Sequence, residues 1–318
     1  MRRTRTVRNV HRRIVPAPAD TVGGLLDRLA TPDDPLFPTP VWPGMVLDRP
    51  LAVGADGGHG RVRYRVTAYE PGRSVRFDTT DPGIGEGYHR FDVEALGPDR
   101  CRVTHALELT MGTRAFLLWK LAIRPVHDIM VEEILDNVER AALGRLPHPP
   151  ARRTPRALLL NRLFWVRPTA VPVPRAARLL HDAVGRPDFS DAWRMPLRPG
   201  MARDPEAWRH VLPAAVRGRA EHELMLGEDA SHLDYRASLL VDEEAVTLVS
   251  AVRLHNTRGR LYFALVRPLH PYAARLMLWR AHRRVAYAAR PAGERNATAV
   301  AWEGPRPARR DRQDAPWE

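Results

Sequence analysis

Between residues 61 and 109 apolar and polar residues alternate with a period of two, and just beyond them the period becomes helical. Val62, Tyr64, Val66 and Ala68 alternate with Arg61, Arg63, Arg65 and Thr67, and Val75 and Phe77 repeat the pattern briefly. His89, Phe91, Val93 and Ala95 alternate with Tyr88, Arg90, Asp92 and Glu94. After the turn Gly97-Pro98-Asp99-Arg100, the set Cys101, Val103, His105, Leu107 and Leu109 alternates with Arg102, Thr104, Ala106 and Glu108. Successive side chains of a strand point to opposite faces, so each run predicts a strand with one buried face, and the short turns predict an antiparallel meander. Across 114–143, Trp119, Ala122, Ile123, Val126, Met130, Ile134, Val138 and Ala141 form one stripe of a long helix. Lys120, Arg124, Asp128, Glu132, Asp136, Glu139 and Arg140 lie opposite it. Gly144 is placed to end that helix and Pro125 to kink or restart it. Upstream, 5–15 reads as a strand and the region near 20–30 as a short helix.

This order of strand, short helices, meander and long helix resembles the helix-grip fold of the START/birch-allergen (SRPBCC) superfamily, including its polyketide cyclase/dehydrase-like members. The resemblance covers 5–144 and is carried by IVPAPADTVGGLLDRL, GRVRYRVTAYEPGRSVRFD, YHRFDVEALGPDRCRVTHALEL and the final helix. It implies a curved antiparallel sheet wrapped around the helix, with a ligand cavity between them. Residues 145–156 (RLPHPPARRTPR) have linker composition, and 157–166 (ALLLNRLFWV) is apolar enough to pack on a domain. Further strands are expected at 188–197, 221–227, 233–241, 245–255 and 260–267, followed by a helix over 269–288. LDYRASLLVD, VTLVSAVRLHNTRGRLYFALVRPLH and YAARLMLWRAHRR resemble a bacterial family of uncharacterised, helix-grip-like domains. His255, Asn256, Gly259, Arg260, Tyr262 and Pro268-Leu269-His270 carry that likeness. The expected fold class is α+β, with helix-grip domains at 1–144 and 161–288, a Pro/Arg-rich linker at 145–160 and a disordered tail at 289–318.

Charge narrows the partners. Fifty basic against 37 acidic residues give +13, and Lys120 is the only lysine. Residues 1–13 hold six arginines and no acid, and 144–181 hold eight and no acid, so the rest of the chain sums to −1. Five more arginines fall in 268–290, again without an acid. Basicity confined to an arm, a connector and a late helix suits contact with an acidic protein or an anionic membrane surface. No zinc-finger spacing, RNP signature or basic zipper accompanies it, so no specific nucleic acid is expected. The single cysteine, Cys101, excludes an intramolecular disulfide and fits a reducing compartment. VPAPAD follows the basic start where a signal peptide would be apolar, and no run approaches the roughly 18 apolar residues that span a bilayer. A soluble cytoplasmic protein is expected.

Polar residues on otherwise apolar strand faces are the candidate site. If the 97–100 turn is tight, His89 and His105 are diagonal neighbours on one face. They either hydrogen-bond within the core, line a pocket, or exchange protons with a ligand. Asp191 stands alone among Phe189, Trp193, Met195 and Leu197, and a buried carboxylate needs a partner, for which Arg236, Arg260 and His255 are the candidates. It is either a structural ion pair or a pocket acid. His270 reads as a cap, a turn residue or a ligand contact, and His255 to Gly259 as a hairpin loop. Tyr64, Phe91, Trp119, Trp193 and Tyr262 are aromatic wall or plain core. Cys101 and His105 stand about 13 Å apart along a strand, too far for a thiolate–imidazole pair. GADGGHG (54–60) and DPGIGEG (81–87) read as turns, since neither has a phosphate-loop pattern. No spacing suggests a metal or cofactor. The expected function is binding of a hydrophobic small molecule, such as a lipid, polyketide or aromatic metabolite. The alternatives are a cyclase or dehydratase acting through His89, His105 or Asp191, and a non-catalytic interaction module.

Overall fold

The period-two segments are strands of one antiparallel sheet in a computed structural model that describes residues 4–289 except 61 and 82, together with residue 291. The expected tail falls outside the described residues, apart from 289 and 291. The sheet contains β1 (Thr4–Val15), β2 (Met45–Leu47), β3 (Asp56–His59), β4 (Val62–Glu70), β5 (Ser74–Thr79), β6 (Glu86–Gly97) and β7 (Arg100–Gly112). Its order is β1-β7-β6-β5-β4-β3-β2, and β1 lies along β7 from Thr4 opposite Gly112 to Val15 opposite Cys101. Opposed residues share a face, so Val15, Tyr64, Val66, Val75, Phe77, Phe91, Val93, Cys101 and Val103 join one core, with Val22 and Leu26 of α1 (Ala19–Leu26).

The expected long helix is two helices, α2 (Thr113–Leu118) and α3 (Arg124–Leu143), joined by a π-turn at Trp119–Ile123. Pro125 sits in the first turn of α3, where a missing N–H leaves no hydrogen bond unmade, and Gly144 caps its end at φ 69°. Sequence periodicity places Asp128, Glu132, Asp136 and Glu139 on a solvent face; in the structure they lie against β1. Asn9 Nδ2 donates to Asp128 Oδ1 at 2.8 Å, His11 Nδ1 meets Glu132 Oε1 at 2.6 Å, and Arg13 contacts Glu132, Asp136 and Glu139 at 2.5–3.2 Å. Alternate residues of a strand advance about 6.8 Å and residues four apart on a helix about 6 Å, so the two repeats stay in step for three rungs. From Thr4 onward the arginine-rich start is therefore part of the sheet, and Arg13 is neutralised by α3.

A second antiparallel sheet has the order β10-β11-β12-β13-β9-β8. Its strands are β8 (Thr169–Ala170), β9 (Phe189–Pro196), β10 (Ala215–Arg219), β11 (Glu223–Ala230), β12 (Leu233–Val241) and β13 (Ala245–Leu254). One face packs on Ala274, Leu278, Trp279 and Ala281 of the long helix His270–Ala288. The other packs on Leu180 and Val184 of a short helix, Arg178–Val184, so central β13 is buried along nearly its whole length. The expected strand at 260–267 and the hairpin loop before it are instead the helix Thr257–Val266. The Asn256 side chain accepts from Gly259 N at 3.0 Å, and Gly259 packs so close to His232 that a Cβ would sit 2.0 Å from the His232 carbonyl oxygen. A six-residue apolar run has no period that distinguishes helix from strand; the cap and the close approach decide.

Trp165, just after the helix Pro155–Phe164, links the two cores. Arg198 stacks 3.8 Å from the centre of its ring and donates to the carbonyls of Pro40 and Val41 at 3.0 Å. Trp165 Nε1 donates to His282 Nδ1 at 3.1 Å, and His282 Nε2 donates to the Pro196 carbonyl at 2.9 Å. Only a neutral imidazole fits both contacts, and burial holds the His282 pKa down to about 4. The unfolded chain binds this proton below about pH 6.5 and the folded chain does not, so stability falls as pH drops from about 6.5 towards 4. Between pH 7 and pH 5 His282 removes about 2 kcal/mol. Urea titrations at the two pH values should show a loss in His282→Gln smaller than that of the wild type by about this amount.

Candidate functional site

The register of the first sheet gathers imidazoles. His105 on β7 lies opposite His11 on β1 and opposite Phe91 on β6, which puts His89 one diagonal step away. His59 at the end of β3 pairs with Val62 and so shares the inward face of Tyr64. From above, α3 lowers His127 onto the same spot. The rings of His89, His105 and His127 have centroids 5.2–5.6 Å apart. His89 Nδ1 and His105 Nε2 are 3.3 Å apart, and Tyr64 Oη is 3.1 Å from His59 Nε2. His105 Nδ1 and both nitrogens of His127 are buried with no hydrogen-bond partner, an expensive condition for polar atoms.

These rings border a cavity of about 20 Å³, walled elsewhere by apolar residues including Phe77, Phe91, Met130 and Ile134. That is room for about one water. Phe37 and Met45 separate it from an outer pocket of about 250 Å³ bordered by Thr31, Pro32, Gly44, Pro199 and Gly200, to which both also belong. Burial holds His59 down to about 4 and pushes His89, His105 and His127 below the usual histidine range, each adding to its neighbours' effect. His11 behaves oppositely: Asp128 and Glu132 hold it up to about 9. A cationic imidazole thus stands at the rim while neutral ones line the interior, each with one lone pair and one N–H. Such a surface can hydrogen-bond a carbonyl or hydroxyl, accept a proton or ligate a metal.

Tyr64, His89, Phe91 and His105 line this cavity, whereas Trp119 packs behind His127, 5.4 Å between ring centres, with Leu107, Leu109 and Met111. In the second sheet Asp191 pairs with none of the three expected partners. It meets His270 Nε2 at 3.2 Å and accepts from Trp193 Nε1 at 2.9 Å. Arg236 instead bonds Asp229, and His255 meets Asp234 at 3.0 Å. Arg260 and Tyr262 ride on the exposed face of the 257–266 helix, because that segment leaves the sheet. His59 and His127 escaped the sequence reading for two reasons. Glycines hid the alternation that would have shown β3, and His127 was passed over although it stands three and four residues before Met130 and Val131 of the buried stripe.

Residues 160–277 match a family described as "Protein of unknown function (DUF2867)". No curated protein matches the chain. Among solved structures, truncated norcoclaurine synthase from Thalictrum flavum is 15% identical, with a TM-score of 0.36, over 46% of this chain and 97% of that one. CalU16 from Micromonospora echinospora is 12% identical, with a TM-score of 0.33, over 51% and 93%. A conserved protein of unknown function from Enterococcus faecalis is 13% identical, with a TM-score of 0.34, over 50% and 82%. Among the described residues no helix is long and apolar enough to cross a membrane.

The β1–α3 ladder holds the helix that carries His127. Arg13→Ala leaves Asp136 and Glu139, 1% and 3% exposed, without their cation. A loss of about 3–5 kcal/mol is expected for breaking a buried pair on one side, measured by chemical denaturation at pH 7.

Proposed function

We propose that the chain is a cytoplasmic protein of two helix-grip domains, 1–144 and 161–288, whose first sheet binds a compact, partly apolar molecule against its histidine floor. One observation carries this reading: buried neutral imidazoles with unpartnered nitrogens converge on a cavity otherwise walled by aromatic and aliphatic side chains. Volume decides the ligand's size. Inner cavity and outer pocket together fall just below the roughly 300 Å³ at which drug-sized sites begin, which favours an aromatic metabolite over a long acyl chain or an extended polyketide. Entry runs from the outer pocket past Phe37 and Met45, with the polar end of the ligand on His89 and His105. The same neutral rings suit proton transfer, so a cyclase or dehydratase would use His89 or His105 as base. In the second sheet the Asp191 carboxylate already has two partners, which favours a structural pair there.

Methionine-methyl NMR tests the binding site. With indole or 4-nitrophenol as probe, Met45 and Met130 should shift with a dissociation constant of about 1 mM or tighter, while Met195 in the second core stays fixed. His89→Gln/His105→Gln should weaken the 4-nitrophenol shift. Unmoved Met45 and Met130 at saturating probe would remove the proposal.

A second reading concerns the surface. Leu261, Tyr262, Leu265, Leu269 and Tyr272 are 51–77% exposed along the 257–266 helix and the start of the 270–288 helix. Arg258, Arg260 and Arg267, all exposed, flank them. An apolar strip edged by arginine matches an anionic lipid surface. Vesicles containing phosphatidylserine should co-sediment the chain, and Leu265→Glu/Leu269→Glu should release it. Sedimentation indifferent to lipid charge and to that variant would overturn the reading and favour an acidic protein partner.

A further inference from the structure

Among the described residues, three groups of side chains bring possible ligand atoms within 4.8 Å of one another. Asp136, Glu139 and His148 form one, but the Arg13 guanidinium already lies among all three. His11, His127 and Asp128 form another, where Asp128 is engaged by Asn9 and where His11 carries its own positive charge between two carboxylates. His89, His105 and His127 are different. Apart from Asp128, 3.8 Å from His127 Nδ1, their surroundings are apolar or aromatic side chains and other imidazoles, no cation lies between them, and three of their nitrogens lack a hydrogen-bond partner.

We propose that His89, His105 and His127 bind one divalent transition-metal ion of the zinc class, with its fourth position open to the cavity. The distances fit. In a tetrahedral site with Zn–N bonds of about 2.0–2.1 Å, ligand nitrogens stand about 3.3–3.4 Å apart. His89 Nδ1 and His105 Nε2 are 3.3 Å apart, long for a hydrogen bond between neutral rings but matching the edge of that tetrahedron. The third ligand, His127, approaches from α3 on the far side from the sheet. Its Nδ1 lies 3.8 Å from Asp128 Oδ1, too far for a hydrogen bond as it stands but near enough for a carboxylate to serve as an outer-shell partner of a metal-bound ring. Burial keeps the three rings neutral, which is the ligating form. With the ion seated between the rings, the adjoining cavity of about 20 Å³ has room for the one water at its open position, and three imidazoles with no thiolate select zinc, cobalt, nickel, copper or iron over magnesium or calcium. His59 and Tyr64, hydrogen-bonded across the cavity, would then face the open position.

This inference uses the cavity of the proposed function but stands apart from it. The test uses the full, tag-free chain, stripped with chelator and titrated with Co2+ and then Zn2+. One equivalent of Co2+ should bind with the visible spectrum of a four- or five-coordinate nitrogen site and be displaced by Zn2+. His105→Gln and His127→Gln should abolish that spectrum, while His148→Gln and His222→Gln leave it unchanged. Because the first two variants alter the core, histidine-ring 15N NMR of the wild type supplies a second measure, in which Zn2+ should shift the resonances of His89, His105 and His127. A folded wild type that takes up no metal would overturn the proposal, as would a spectrum lost in His148→Gln and kept in His127→Gln. The indole-dependent shifts of Met45 and Met130, recorded in chelator, report the cavity without metal, so a chain that binds indole but no Co2+ loses the metal site and keeps its binding function.

Discussion

The ladder between β1 and α3 is the constraint on which the first half of the molecule depends. Asn9, His11 and Arg13 point inward because they share the parity of Val15, and they meet acids spaced four, four and three residues apart on α3. Burying this much charge is tolerable only because nearly every carboxylate oxygen has a donor. The ladder also fixes the rotation of α3. Turned by even one residue, the helix would withdraw His127 from the sheet and expose Met130, Val131 and Ile134.

A consequence is a graded interior. At the β1 edge, charges are paired and His11 is a cation. One strand further in, His105 and His89 are neutral for want of any acid, and beyond them the wall is aromatic. The second sheet is built differently. Both faces of β13 are covered, Asp191 is satisfied by His270 and Trp193, and Glu223 accepts from the amides of Leu179 and Leu180 and from Ser238. Its buried acids are consumed by structure, whereas imidazole nitrogens inside the first sheet are left over. That contrast, more than any single residue, directs attention to the first sheet.

Much of the fold was legible. The meander, β1, α3 and the helix over 270–288 follow from residue period, and the diagonal pair His89 and His105 follows from period plus one turn. Other features were not. The acids of α3 read as a solvent face because periodicity reports that a stripe is polar but not what lies against it. The strand expected at 260–267 became a helix because Asn256 bonds the Ser231 carbonyl and Gly259 packs on His232, some 25 residues away. His59 was hidden in a glycine-rich stretch where no side chains mark the alternation.

The sequence by itself determined the α+β class, the antiparallel meander and the inward parity of Tyr64, His89, Phe91 and His105, since these depend only on local period and turn length. Tertiary structure decided that His127 completes their cluster, that His270 and not an arginine answers Asp191, and that a small cavity lies behind Phe37 and Met45. Each of these is a contact between segments far apart in the chain, chosen by packing and by the pairing of buried charge, and no local pattern encodes such a choice.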